Sequence, residues 1–110
     1  MIFKVFRPAE WADLQAAGAT QGAPVDLADG FVHFSTAAQL GTTLAKHFAE
    51  EGDLILLACD ATGFGKDLRW EPSRGGELFP HLYRPLSLQD IAWSRVIRRS
   101  DDGHDTGPLE

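Results

Sequence analysis

At 110 residues, with 44% hydrophobic side chains, three Trp and seven Phe, the chain is long enough for one domain with its own core and too short for two. Ten Lys and Arg against sixteen Asp and Glu leave a net charge of -6, which excludes a broad basic surface for a nucleic-acid backbone. The single Cys59 excludes an internal disulfide and a multi-cysteine zinc site, and its place in the apolar run 54–59 reads as a buried thiol.

Met1 leads directly into Ile2-Phe3-Lys4-Val5-Phe6, apolar on both faces like an interior strand. No basic leader, cleavage site or membrane-length run is seen, so a soluble cytoplasmic protein without a membrane partner is expected. Pro8 suits the first turn of a helix over 9–17 that places Trp11 and Leu14 on one side, and Gly18 stops it. Residues 18–27 have no apolar period and read as a surface loop able to cover a site. Asp29-Gly30 is a turn, because glycine tolerates positive φ, and Phe31 to Phe34 form a short strand. Side-chain alternation puts Val32 and Phe34 toward the core, with Phe31, His33 and Ser35 on the other face. Ser35 or Thr36 can then cap a helix over 36–51 with Ala37, Leu40, Leu44 and Phe48 as its apolar stripe. The first free N–H groups of that helix would suit a phosphate. His47, beside the stripe, reads as a half-covered boundary residue outside any site.

The run 53–60 predicts a strand buried on both faces at the centre of the sheet. Leu68-Arg69-Trp70-Glu71 alternates, with Leu68 and Trp70 on one side, until Pro72; residues 73–76 read as a mobile loop. In Glu77-Leu78-Phe79-Pro80-His81-Leu82-Tyr83 an extended chain puts His81 and Tyr83 on one face and Leu82 in the core. A turn near 85–90 precedes a more exposed strand over 91–99. Residues 100–110 have almost nothing to bury and predict a disordered acidic tail. The expectation is a single α+β domain over 1–99 with two or three helices and about six short strands, its pairing order open.

His33, Ser35, Glu71, His81 and Tyr83 lie on short segments separated by loops, an arrangement able to converge in one cleft. Each also has a plain structural reading. His33 could bond a buried carbonyl, Tyr83 could be a core aromatic with its hydroxyl at the surface, Glu71 could pair with Arg69 or Arg74, and His81 could be structural. A metal site of His33, His81 and a carboxylate is an alternative, though no pair has close helical ligand spacing. Ser35 lacks the Gly-x-Ser-x-Gly elbow of a serine hydrolase and reads as a helix cap or a ligand contact.

The opening strand with Trp11, the strings Asp29 to Thr36, Gln39-Leu40, Leu68 to Glu71 and Phe79 to Tyr83 together resemble the bacterial family known as domain of unknown function 952. The resemblance spans nearly all of residues 2–97, and Arg84 stands where the family often has glycine. That family has been grouped with the ADP-ribosyltransferase superfamily, so the resemblance implies a split, mainly antiparallel sheet gripping a dinucleotide, with NAD as the cofactor. It implies that His33 contacts a ribose hydroxyl beside Ser35 and Thr36 and that Tyr83 stacks on nicotinamide. His81 and Glu71 join His33 as catalytic candidates, Glu71 by offsetting positive charge on the ribose. The expectation is an NAD or ADP-ribose-binding cleft that transfers ADP-ribose, with His33, His81 and Tyr83 lining one pocket. Alternatives are a nucleotide-binding module without turnover and an interaction protein using Trp11, Trp70 and Trp93, which predicts an exposed apolar patch.

Overall fold

The computed structural model describes residues 1–109, apart from the side chain of Arg74. The elements follow in the order β1 (Ile2–Phe6), α1 (Pro8–Ala17), β2 (Ala19–Thr20), α2 (Pro24–Asp29), β3 (Val32–His33), α3 (Ala37–His47), β4 (Leu54–Cys59), β5 (Leu68–Pro72), β6 (Leu78–Leu82), β7 (Leu86–Ser87), β8 (Ile91–Ser100) and β9 (Gly103–Asp105). Short 3-10 segments occupy Ala61–Asp67, Arg74–Gly76 and Leu88–Asp90.

Six consecutive apolar residues can be covered on both sides only inside a sheet, and β4, buried at all six positions, is that strand. It lies between β1 and β8 in the order β1-β4-β8-β9. Its alternation sorts the core into two layers. Ile55, Leu57 and Cys59 pack with Leu14 of α1 and with Val32, Phe34 and Leu82. Leu54, Leu56 and Ala58 pack instead with Leu40 and Leu44 of α3 and Ile97 of β8. A second group, β3-β6-β5, and the short pair β2-β7 complete the pairing, all of it antiparallel. Phe3 and Ser35 exchange backbone hydrogen bonds of 2.8 and 2.9 Å, so the edge strand β1 is continued by the backbone just after β3. The result is a small α+β domain with a mainly antiparallel, curled sheet.

One expectation is corrected. The segment 18–27 is not a plain loop, because Pro24 starts α2 and Gly30, at φ 86°, closes it in the left-handed conformation. Trp70, on the Leu68 side of β5, stands 47% exposed, since β5 is a sheet edge and the apolar cover reaches only Leu68. The segment 100–109, expected as a disordered tail, carries backbone pairing, while Glu110 lies outside the described residues. β9 pairs back on β8, Arg95 Nη1 donates to the carbonyls of Thr106 and Pro108 at 2.9 and 2.7 Å, and Leu109 packs on the α3 side of the core. Backbone pairing, rather than apolar content, holds this segment. Trp11 and Trp93 are half-buried against different core layers, so the three tryptophans do not form one exposed patch. Among the described residues no helix is long and apolar enough to cross a membrane.

Candidate functional site

A lysine inside a buried strand requires a counter-charge. Lys4 of β1 is buried, and its Nζ lies 2.7 Å from Oδ2 of Asp26, which is buried as well. Asp26 sits on the first turn of α2, where Oδ2 accepts the Ala23 N–H at 2.7 Å and begins the helix. Oδ1 accepts the backbone N–H of His33 at 3.0 Å and meets its ring Nδ1 at 2.6 Å. One carboxylate thereby ties α2 and β3 to β1. Burial pushes the Asp26 carboxyl up, but the bonds to His33 and Lys4 outweigh it and hold the group below its usual value, hence ionised. Burial pulls the Lys4 ammonium down, with Asp26 opposing. Gly22 leaves room for this arrangement, because a Cβ there would collide with the Asp26 carboxyl.

β3 and β6 pair with His33 directly opposite His81, and β5 adds Arg69 opposite His81. The inner face of these short strands, carrying Val32 and Leu82, is core. The outer face gathers the polar side chains. Phe31 lies at its middle, 4.2 Å from the His81 ring and stacked on it, 4.5 Å from His33 and 5.2 Å from Tyr83, as centroid distances. The two imidazole centroids are 5.3 Å apart. His81 Nδ1 lies 2.9 Å from Glu71 Oε1, and the Tyr83 hydroxyl donates to the same oxygen at 2.6 Å. Those two bonds hold Glu71 below the usual carboxylate range, and the bond to Glu71 pushes the Tyr83 hydroxyl up. His33 Nε2 is 3.0 Å from Asp29 Oδ2, so both of its ring nitrogens face carboxylates. Both contacts are hydrogen bonds at once only in the doubly protonated ring.

A cavity of about 630 Å³ opens beside this face, lined among others by Lys4, Arg7, Asp29, His33, Ser35 and His81. Its size falls within the range of about 300–1,000 Å³ usual for small-molecule sites. His33 and His81 therefore share one cavity. Tyr83 shares their sheet face but not the cavity wall; it is 38% exposed, with the Arg69 guanidinium 4.5 Å over its ring. Glu71 is held behind His81 and also lies off the wall. Of the partners expected for it, Arg69 and Arg74, the side chain of Arg74 lies outside the described residues. Ser35 is on the wall, yet it does not cap α3, because its hydroxyl meets Thr43 Oγ1 at 2.8 Å. Thr36 is the cap. Its hydroxyl accepts the Gln39 N–H at 3.2 Å, while Gln39 Oε1 accepts the Thr36 N–H at 3.0 Å, so this capping box already uses two of the donors a phosphate would need. His47, read as lying outside any site, is on the wall. Cys59 is buried, with its thiol pushed up to about 12 by desolvation, as befits an inert core residue. Among the described residues no three His, Cys, Asp or Glu side chains form a metal-holding group.

Sequence reasoning missed Lys4 and Asp26. The signal was the lone cation in an otherwise apolar strand, which demands a buried carboxylate somewhere in the chain.

Residues 5–94 match the family model described as Protein of unknown function (DUF952). The chain belongs to this family. Similar solved structures include the X-ray structure of protein CC0527 from Caulobacter crescentus, 45% identical with a TM-score of 0.89, over 94% of this chain and 90% of that one. The solution NMR structure of CC0527 is 44% identical with a TM-score of 0.84, over 96% and 90% of the two chains. No curated protein matches the chain.

Proposed function

We propose that the cavity binds NAD or another ligand containing ADP-ribose, and that the protein transfers ADP-ribose from it. The observation that carries this reading is the pair of imidazoles, 5.3 Å apart and each backed by a carboxylate, on the wall of a cavity large enough for a nucleotide. An imidazole edge can donate to or accept from a ribose hydroxyl. Phe31 offers an aromatic ring beside both histidines, although it lies off the cavity wall, as Tyr83 does. Lys4 and Arg7 bring cationic groups to the same wall, although Lys4 is shared with Asp26 and Arg7 with Glu10 and Glu51.

A nucleotide-binding module without turnover is the second reading, favoured by one observation. Glu71, the carboxylate expected to act on the ribose, is turned toward His81 and Tyr83 instead. A thermal-shift series with NAD, ADP-ribose and AMP tests both readings, because a ligand bound only by the folded chain raises its apparent stability. At a concentration one hundred times Kd the expected gain is about 2.7 kcal/mol. No shift with any of the three ligands contradicts the nucleotide site, and a shift with NAD left intact after long incubation selects the module.

A further inference from the structure

We infer that His81 is the general base of this cavity, held in position by Glu71, and that the acceptor of the transfer is an oxygen nucleophile, water or an alcohol; this rests on the nucleotide reading of the cleft. The two ring nitrogens have different surroundings. Nδ1 lies 2.9 Å from Glu71 Oε1, and an ionised carboxylate can only accept, so the ring carries its proton there and keeps its lone pair on Nε2. No described residue hydrogen-bonds Nε2. Among the described residues no buried side-chain nitrogen or oxygen is left unpaired, so a partnerless Nε2 is one that solvent reaches, and His81 lines the cavity. The ring cannot turn away easily. Phe31 stacks on it with an interplanar angle of 25°, and the Tyr83 hydroxyl fixes the same Glu71 oxygen from the other side at 2.6 Å.

A carboxylate, an imidazole and an open Nε2 in line form the arrangement by which a base is oriented and its cation stabilised. His33 is unsuited to that task, since both of its nitrogens face Asp26 and Asp29. The charged and titratable groups around His81 are Glu71 with its cross-strand neighbour Arg69 on β5, His33 from β3, and Tyr83 just beyond β6. In the step itself Nε2 takes the proton of the acceptor O–H as that oxygen bonds to ribose C1′. The bond from C1′ to the nicotinamide nitrogen breaks, and its electron pair leaves on nicotinamide, which departs neutral. The proton stays on His81 opposite Glu71 until solvent removes it.

Long-range ¹H–¹⁵N NMR of the full chain reads the tautomer without any substrate. The expected result is His81 protonated on Nδ1 and bare on Nε2, with Nε2–H appearing in Glu71→Leu, which leaves Nδ1 no acceptor. A wild-type ring protonated on Nε2 alone overturns the inference. Turnover is followed as conversion of NAD to ADP-ribose in water and to methyl ADP-ribose with methanol present. His81→Ala is expected to lower kcat by about 10²–10⁴-fold with NAD binding retained. Glu71→Gln should lower kcat at unchanged KM and displace the acid limb of the pH profile, and Glu71→Asp should restore part of the loss. Because His81 is largely buried, the Glu71 variants keep the test open if His81→Ala does not fold. NAD bound by wild type but not consumed, or consumed equally by folded His81→Ala, overturns the base while leaving the site. NAD not bound at all overturns the nucleotide reading, and the acceptor chemistry with it.

Discussion

In β1-β4-β8, burial is apolar on both faces of the central strand, with β4 closed to solvent at every position. In β3-β6-β5 one face joins that same core through Val32 and Leu82, while the other holds His33 against Asp26 and, separately, His81 and Tyr83 against Glu71 by directed hydrogen bonds. Packing tolerates no loss of volume, but it carries no chemistry. Directed bonds fix tautomers and charges at a cavity wall, and they add less to stability because much of that face meets solvent. Asp26 is where the two regimes touch, since it is as buried as the core and as polar as the site.

The largest expected effect follows from that contact. Asp26→Ala leaves Lys4 buried without its partner and should cost about 3–5 kcal/mol in urea unfolding. Lys4→Met combined with Asp26→Asn should recover part of it, because both charges are gone, while the single Asn oxygen can accept from Ala23 or from His33 but not from both. The pH dependence has a fixed sign. A carboxyl held below its unfolded value, here about 3.9, contributes stability that is present above that pH and is lost as pH falls through the folded pKa. The acid limb of stability below about pH 4 should therefore be shallower in Asp26→Asn than in wild type.

Leu57→Ala, in the centre of β4, should cost about 2–5 kcal/mol through the cavity it leaves. At temperatures where the variant is folded, the ring signals of His33 and His81 should be unmoved; displaced signals would mean that the two regions are not separable.

His33→Ala removes one charged hydrogen bond from Asp26, which keeps its other partners, and should cost about 1.5–3 kcal/mol. A variant as stable as wild type would detach His33 from the structural network and leave it as a ligand contact only. Tyr83→Phe is the mildest change. It should leave the melting temperature unaltered while the titration of Glu71 moves up toward the ordinary carboxylate value, since the largest influence holding it down is gone.

The legibility of these regions in the sequence follows the same divide. β4 and α1 are readable because a continuous apolar run and a Pro-to-Gly bracketed segment each have a local cause. The face shared by Phe31, His33 and Ser35 is readable from alternation alone. What escapes is whatever depends on a distant partner. α2 is six residues long, too short for an apolar stripe, and its Asp26 acquires meaning only once β1 brings Lys4 beside it. Ser35 and Thr36 are equivalent as caps by composition, and only the return of Phe3 to the Ser35 backbone, with Thr43 across from its hydroxyl, assigns the cap to Thr36. The hairpin of β9 is invisible to hydropathy, because its hydrogen bonds are made by backbone that any residue supplies.

The central claim is that the cavity beside His33 and His81 is the ligand site of the molecule, and NMR titration of the ¹⁵N-labelled chain with ADP-ribose tests it most directly. The prediction is saturable displacement of the His81 ring signals and of the amides of Phe31, His33 and Ser35, with β8 and β9 unchanged. Signals that stay fixed at millimolar ADP-ribose, or that move instead around Asp60 and Asp90, where the second cavity lies, would contradict it.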